Sequence, residues 1–223
     1  MIIDRPLSLP EQLRGLNACM RSKLTATDLD AIQLGYAQIA AEGAGQAMLH
    51  PGDRAPDFDL IDQGGVTVRL ADRLAQGPVV VQFSRGGWCP FCTLQLRAWQ
   101  DALPRLYDAG GDLLAILPQS PEVCSQTVER DLLAYPVLSD PGGRVAERYG
   151  VVFELPKVLR QFYIRLGHDL PRINGTGNWR MPLSSTFVIA PDGRITLSHA
   201  DIGVPDRLEP EVALRAVRDM IAA

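Results

Sequence analysis

Two cysteines separated by two residues, Cys89 and Cys92, are the side chains of this sequence best suited to covalent chemistry. A cysteine thiolate attacks a disulfide or a peroxide oxygen, and a second thiol one helical turn away can close onto the intermediate that results. The spacing therefore predicts thiol redox chemistry, in which the pair alternates between two thiols and a disulfide.

The sequence on either side of the pair indicates which elements position it. Residues 78–83 form a short, β-branched apolar run, which predicts a buried strand. Pro90 suits the first turn of a following helix. The apolar residues of that helix recur at helical spacing: Leu96, Trp99, Leu103 and Leu106. We therefore expect the dithiol at an exposed strand-to-helix junction, where the helix N-terminus favours a thiolate and Arg85 and Arg97 add positive charge.

A metal site is the first alternative interpretation of the pair. Structural zinc needs a second pair of ligands at matching spacing, whereas Cys19 and Cys124 are single and far apart. The three histidines are scattered as well, so we predict no metal. A permanent disulfide or two inert buried thiols is the second alternative, and the expected exposure of the junction argues against it. Cys19 and Cys124 themselves are predicted to be buried structural thiols.

Composition restricts the class of protein. The chain has 223 residues, of which 46% are hydrophobic and 22% charged, and its net charge is -4. This charge predicts no basic surface, so nucleic acid is not expected as a partner. No apolar run reaches the length of about 18 residues that a membrane span needs, and the N-terminus shows no secretory signal. We therefore expect a cytoplasmic protein, and in that compartment a Cys-x-x-Cys is more often catalytic than structural.

Residues 1–50 are predicted to form an N-terminal helical extension, separate from a second unit over residues 51–223. Thr27 and Asp30 have the spacing of a capping box at a helix start. An apolar stripe follows at helical spacing: Leu29, Ile32, Tyr36 and Ile39. We interpret this stripe as packing surface, against the rest of the chain or against a second subunit in a homodimer.

From residue 51 onward the pattern alternates between strands and helices. The predicted strands are a hairpin over 58–70, two strands at 79–83 and 113–117, and an antiparallel pair at 186–189 and 195–197. The predicted helices follow Cys89 and Ser120 and cover 144–149, 158–166 and 210–221, while 171–182 is predicted to be loop. This order predicts an α/β fold with a central mixed sheet flanked by helices.

Four segments match a known family: Gly52–Phe58, Phe83–Cys92, Pro136–Asp140 and Tyr149–Val151. They occur in the expected order, and together they resemble the peroxiredoxin-like branch of the alkyl hydroperoxide reductase and thiol-specific antioxidant family. The resemblance implies a thioredoxin-like fold and an antioxidant thiol oxidoreductase without a bound cofactor. It also implies a peroxide as substrate and thioredoxin, or a similar dithiol protein, as reductant.

The match to the family's site is incomplete. Typical members carry Pro-x-x-x-Thr-x-x-Cys, whose cysteine attacks the peroxide. Aligning Cys92 with that cysteine places Cys89 at the threonine and Arg85 at the proline. In thioredoxin, however, the first cysteine of the pair is the nucleophile, which is Cys89 here. The sequence therefore supports two assignments of the attacking cysteine.

Further residues are candidates for supporting the dithiol. Ser184 falls where thioredoxins have a cis-proline and many peroxiredoxins an arginine, and a shifted loop would let Pro182 or Arg180 supply one of these. Trp88 precedes the first cysteine as in thioredoxin and is a candidate docking residue for a substrate. Cys124 has a second interpretation, as an extra resolving cysteine.

Three functions are compatible with these residues. The leading hypothesis is a thiol peroxidase for hydrogen peroxide or organic hydroperoxides, in which a thiolate becomes a sulfenic acid and condenses with the other cysteine. The second is a thioredoxin-like reductase of protein disulfides. The third is a non-catalytic redox sensor, in which oxidation of the pair changes how the N-terminal helices dock.

Overall fold

A mixed seven-stranded sheet organises the computed structural model, which describes residues 7–203 and 206–221. The described strands are β1 (Asp59–Asp62), β2 (Thr67–Arg69), β3 (Val79–Phe83), β4 (Asp112–Leu117), β5 (Val137–Ser139), β6 (Val152–Glu154), β7 (Arg180–Pro182), β8 (Ser184–Ile189) and β9 (Ile195–Asp201). The described helices are α1 (Leu9–Arg21), α2 (Ala26–Ala41), α3 (Leu70–Leu74), α4 (Pro90–Asp108), α5 (Pro121–Asp131), α6 (Arg144–Arg148), α7 (Lys157–Arg165), α8 (Leu170–Ile173) and α9 (Pro210–Ile221). Among these helices, none combines the length and the apolar character that a membrane span requires.

The strands of the main sheet follow the order β2-β1-β5-β4-β3-β8-β9. β3 pairs in parallel with β4, and β4 with β5, whereas the other pairs are antiparallel. A strand that is covered on both faces usually has a continuous apolar sequence. This explains the apolar run of β3, which is buried along its whole length. The structure therefore confirms the predicted central mixed sheet flanked by helices.

Helices cover both faces of this sheet and enclose two apolar cores. On one face, Trp99 of α4 and Leu214 of α9 belong to a buried cluster with residues of β3 and β4. On the other face, the rings of Phe83, Tyr149 and Phe187 pack with centroids 5.1 to 6.0 Å apart. Because β3 contributes to both cores, the loop that follows its carboxyl end starts from a rigid platform.

The two helices before residue 51 pack on the rest of the chain. α1 lies against α4, and α2 lies against α7. Gly35 of α2 permits the second contact, because a Cβ at this position would collide with the Leu159 side chain on α7. Ile32, Tyr36 and Ile39 of the predicted apolar stripe pack onto the larger core. The stripe is therefore packing surface against the chain itself.

Two local predictions are wrong. The capping box of α2 consists of Thr25 and Asp28, not Thr27 and Asp30, because Thr25 has the extended backbone of an N-cap and its hydroxyl accepts from the Asp28 N–H. The loop predicted over 171–182 contains part of α8 and all of β7, which pairs with β6. Elements of three or four residues are too short to show a hydrophobic period, so the sequence did not indicate them.

Candidate active site

The dithiol lies where β3 is followed by α4, as the sequence predicts. β3 ends at Phe83, Cys89 is the N-cap residue of α4, and Pro90 occupies the first turn. The loop between them is fixed at Gly87, whose N–H donates to the side-chain oxygen of Gln119 at 2.8 Å. Both cysteines therefore stand at the N-terminus of a 19-residue helix, where the helix dipole favours negative charge.

Gly86 and Gly87 of the motif are each required to be glycine, but for different physical reasons. A Cβ at Gly87 would collide with Oγ1 of Thr127 on α5 and would approach its Cγ2 to 3.1 Å. Gly86 has a φ of 138°, in the region that favours glycine. Together they let the motif loop lie directly on α5.

The two sulfurs are buried, which corrects the expectation of an exposed junction. Cys89 is 4% exposed and Cys92 is 0% exposed. Leu9 and Leu13 of α1 form one apolar cluster with both cysteines and with Phe91. Helix α1 therefore covers the dithiol, and no local pattern around the motif indicates this cover.

The other two cysteines lie outside that cluster. Cys124 is buried on α5, as predicted, and burial raises its pKa to about 12. Its thiol lies 3.8 Å from the carbonyl oxygen of Gln119. Cys19 is exposed near the end of α1, so the prediction that it is buried is wrong. The buried face of that helix is formed by Leu9 and Leu13 instead.

The thiols of the pair have opposite pKa shifts. The Cys89 thiol donates a hydrogen bond to the Cys92 sulfur, and this bond is the main reason that the pKa of Cys92 is lowered to about 6 despite burial. The positive charges of Arg207 and Arg85 act in the same direction. The shared hydrogen bond, together with burial, raises the pKa of Cys89. At neutral pH, Cys92 is therefore the thiolate and Cys89 its protonated partner.

Arg85 supplies a buried positive charge next to the pair. It is 2% exposed, and its Nη2 donates to the carbonyl oxygens of Ile202 and Gly203 at 3.1 and 2.9 Å. Its Nε has no hydrogen-bond partner in the described part of the chain. Arg97, the other predicted cation, pairs with Asp131 at 2.9 Å. Arg85 therefore supplies charge to the dithiol, whereas Arg97 is engaged elsewhere.

Arg207 is the candidate residue that sequence reasoning missed. It lies between β9 and α9, is 3% exposed, and its charge acts on both cysteines. Its Nε is 3.9 Å from Oδ2 of Asp201, and within residues 7–203 and 206–221 its guanidinium makes no hydrogen bond. A buried guanidinium without hydrogen bonds is costly, so a negative charge at the dithiol stabilises it. No sequence spacing links Arg207 to the motif, because it comes from the far end of the chain.

Two of the predicted supporting residues, Ser184 and Arg180, lie in different environments. Ser184 is buried on β8, and its hydroxyl donates to the side-chain oxygen of Gln95 at 2.8 Å, one helical turn after Cys92. Arg180 lies on β7, where it pairs with Glu147 at 2.6 Å. The structure therefore brings Ser184 to α4 near the dithiol and leaves Arg180 in a partly exposed ion pair.

Trp88, the third of them, lines a largely apolar cavity beside the dithiol. Its ring packs against His168, with centroids 4.6 Å apart, and against Tyr163 at 5.9 Å. The cavity has a volume of about 400 Å³ and lies between the motif loop, α1, α2 and α7. Cys89 reaches its wall, whereas Cys92 lies behind. A small molecule in this cavity therefore meets the dithiol from the Cys89 side.

Comparison with known proteins assigns this α/β chain with its buried dithiol to a family. The model of the AhpC/TSA family matches residues 51–198, and the chain belongs to that family. Peroxiredoxin Bcp of Escherichia coli is 40% identical to it over 103 residues, which are 46% of this chain and 65% of the relative. The chain thus matches less than two thirds of that protein's length.

Solved structures confirm the predicted thioredoxin-like fold. Peroxidoxin BcpB of Mycobacterium tuberculosis has a TM-score of 0.63 and 25% identity, with 77% of this chain and 98% of that chain covered. AhpC of the same organism has a TM-score of 0.60 and 19% identity, with 79% and 94% covered, and shows likeness of fold alone. The family match begins after α2, so both N-terminal helices lie outside it.

Proposed function

We propose that the chain is a thiol peroxidase that reduces hydrogen peroxide or organic hydroperoxides through Cys89 and Cys92. The observation that carries the proposal is the geometry of the site, in which two buried thiols lie one helical turn apart at the N-terminus of α4, with the buried guanidinium groups of Arg85 and Arg207 acting on both. Fixed positive charge suits a reaction in which an oxygen anion leaves. Membership of the AhpC/TSA family and the peroxiredoxin names of relatives support the same activity.

In the first step the Cys92 thiolate attacks one oxygen of the peroxide. The S–O bond forms as the O–O bond breaks, and Cys92 becomes a sulfenic acid. The other oxygen leaves as an alkoxide, or as hydroxide from hydrogen peroxide, and takes up a proton to become an alcohol or water. Arg85 and Arg207 stabilise the negative charge while it moves between oxygens.

In the second step Cys89 resolves the sulfenic acid. Its sulfur attacks the Cys92 sulfur, the disulfide forms, and the hydroxyl group leaves as water with the proton of Cys89. A thioredoxin or a similar dithiol protein then reduces this disulfide, and its own two thiols become a disulfide. A cytoplasmic location fits this cycle, because the reducing pool there keeps thiols reduced between turnovers.

We also propose that residues 1–50 act as a cover on the domain formed by residues 51–223. Leu9 and Leu13 belong to one apolar cluster with both cysteines, and both cysteines are buried. A protein reductant therefore reaches the sulfurs only after α1 moves away from α4.

A protein disulfide reductase is the second candidate function, because Cys89 rather than Cys92 reaches the cavity wall. In that mechanism Cys89 attacks the substrate disulfide, and Cys92 releases the substrate by attacking the mixed disulfide. The low pKa of Cys92 favours the peroxidase order instead, since the thiolate is the nucleophile.

Stopped-flow oxidation of the fully reduced protein distinguishes the two functions. The protein is mixed separately with hydrogen peroxide and cumene hydroperoxide, and the remaining thiols are counted over time. We expect rapid loss of two thiols and a Cys89–Cys92 disulfide in the mass spectrum. Oxidation no faster than that of a free thiol, together with efficient reduction of insulin disulfides, would replace the peroxidase with the reductase.

A further inference from the structure

The cavity beside Cys89 depends on a part of the chain that the family match does not cover. Its walls combine side chains of α1 and α2 with side chains of α7, among them Met20, Arg21, Tyr36, Phe162 and Tyr163. α1 and α2 lie before residue 51, where the AhpC/TSA match begins. Part of the cavity wall therefore comes from residues that lie outside the family match.

The size and the walls of the cavity suit an organic ligand. Hydrogen peroxide needs little space, whereas a cavity of about 400 Å³ falls in the range that encloses a small organic molecule. The walls carry several aromatic rings, including those of Tyr36, Trp88, Phe162 and Tyr163. Such rings pack favourably against another ring in edge-to-face or offset arrangements. The walls therefore favour an aromatic body.

The charged side chains on the wall are both arginines. Arg85 is buried next to the dithiol, and Arg21 is exposed in the last turn of α1. Among the described residues that line the cavity there is no aspartate and no glutamate, and no carboxylate in the described part of the chain pairs with Arg21. Burial lowers the pKa of His168, which keeps that ring neutral at pH 7. The cavity therefore offers one buried and one exposed positive charge to a ligand.

We propose that this cavity binds the organic part of the peroxide, and that its ligand is an aromatic hydroperoxide that carries a carboxylate. This inference rests on the proposed function. The hydroperoxide group lies on the Cys89 side of the dithiol, next to Arg85, and the Cys89 side chain turns aside before the Cys92 thiolate attacks it in the first of the two steps described above. The aromatic body packs against Trp88 and Tyr163, and the carboxylate reaches the exposed guanidinium of Arg21.

Binding can be measured without catalysis in the double variant Cys89→Ser/Cys92→Ser. The probe is 4-(2-hydroxypropan-2-yl)benzoate, an unreactive alcohol with the carboxylate, and the comparison is 2-phenylpropan-2-ol, which lacks it. Calorimetry is expected to show that the carboxylate probe binds roughly twofold to fivefold more tightly, the range that an exposed ion pair supplies. Equal affinities for the two alcohols, or no binding of either, would overturn the proposal.

Substitutions on α1 locate the binding. Arg21→Gln is expected to remove the difference between the probes, whereas Arg14→Gln, which removes the same charge from another exposed position of α1, is expected to keep it. Met20→Trp fills part of the cavity and is expected to weaken both probes, while Met20→Leu keeps the volume and the affinity. Unchanged affinity in both Arg21→Gln and Met20→Trp would show that the probes bind elsewhere and would overturn the proposal.

Peroxide kinetics of the wild-type chain separate this inference from the proposed function. Cumene hydroperoxide, its para-carboxylate and hydrogen peroxide are compared by stopped flow, and the carboxylate is expected to react fastest at low concentration. Probe binding without peroxide-driven loss of thiols would overturn the peroxidase function. Fast reduction of all three peroxides at one rate, without probe binding, would overturn the inference about the cavity alone.

Discussion

At the residue scale, two sulfurs with almost equal burial differ in protonation. Cys89 and Cys92 share one hydrogen bond, so the proton that stays on Cys89 stabilises the negative charge on Cys92. Arg85 and Arg207 lower the pKa of both thiols, and burial opposes them. The pKa values of the two thiols therefore differ because Cys89 donates the shared hydrogen bond and Cys92 accepts it, while the charges of Arg85 and Arg207 act on both.

This inequality predicts different products for the two serine variants. After treatment with peroxide, Cys89→Ser is expected to form a sulfenic acid at Cys92 that dimedone traps, because a serine hydroxyl can still donate to the thiolate. Cys92→Ser is expected to form less adduct: the hydrogen bond to the Cys92 sulfur, which is the first cause of the raised pKa of Cys89, is then lost, but burial still raises that pKa. Mass spectrometry of the dimedone adducts measures both. Equal and slow trapping in the two variants would argue against a peroxidase.

The pKa of Cys92 predicts the pH profile of oxidation. The rate constant with hydrogen peroxide is expected to rise through a midpoint near pH 6 and then level off, because Cys92 is protonated and unreactive below its pKa of about 6. Arg207→Gln is expected to move the midpoint to higher pH, since it removes a charge that favours the thiolate. Arg215→Gln, an exposed position of α9, serves as the control. A wild-type midpoint near the free-thiol value of about 8.5 would contradict the assignment.

At the element scale, the motif loop depends on its contact with α5. Gly87→Ala is expected to lower the free energy of unfolding by about 1–3 kcal/mol, because the added Cβ collides with Thr127 while the backbone itself tolerates alanine. The double variant Gly87→Ala/Thr127→Ala is expected to recover part of this loss, since it removes the colliding Oγ1. Urea unfolding of the two single variants and the double variant measures the coupling. Additive losses would show that the collision is not the cause.

The cover formed by α1 can be tested in the same way. Leu13→Ala removes a fully buried side chain from the contact between α1 and the dithiol, which costs about 2–5 kcal/mol at such positions. A bulky maleimide is therefore expected to label Cys89 faster in this variant. Leu34→Ala, at an exposed position of α2, is the matched control and is expected to label at the wild-type rate. If labelling of both variants stays slow, α1 does not limit access to the sulfurs.

Elements differ in how far the sequence predicts them. β3 and α4 were predicted with the dithiol at their junction, because each has a clear hydrophobic pattern and Pro90 suits a helix start. The predicted N-cap of α2 lies two residues after the observed one, because Thr25 and Thr27 are each followed by an aspartate three residues later. Burial of the dithiol was not predictable from the motif, because α1 supplies it from a distant part of the sequence.

At the scale of the whole molecule, the sequence predicts the fold better than the site. The mixed sheet follows from runs of apolar residues and turns that each act locally. The cavity and the position of Arg207 arise where α1, α2, α7 and the segment before α9 converge on one motif loop. Such convergence depends on packing between distant elements, so no single window of sequence contains it.

The hydrogen bonds of Arg85 link the two cations of the site mechanically. Its Nη2 holds the carbonyl oxygens of Ile202 and Gly203, which stand a few residues before Arg207. Arg85 therefore holds the chain at Ile202 and Gly203, and it also contributes its own charge to the positive potential at Cys92. We expect Arg85→Gln to raise the pKa of Cys92 almost as much as Arg85→Gln/Arg207→Gln does, because the variant loses the two hydrogen bonds to Ile202 and Gly203 together with the charge. The pH dependence of Cys92 alkylation measures both shifts, and a clearly larger shift in the double variant would contradict this expectation.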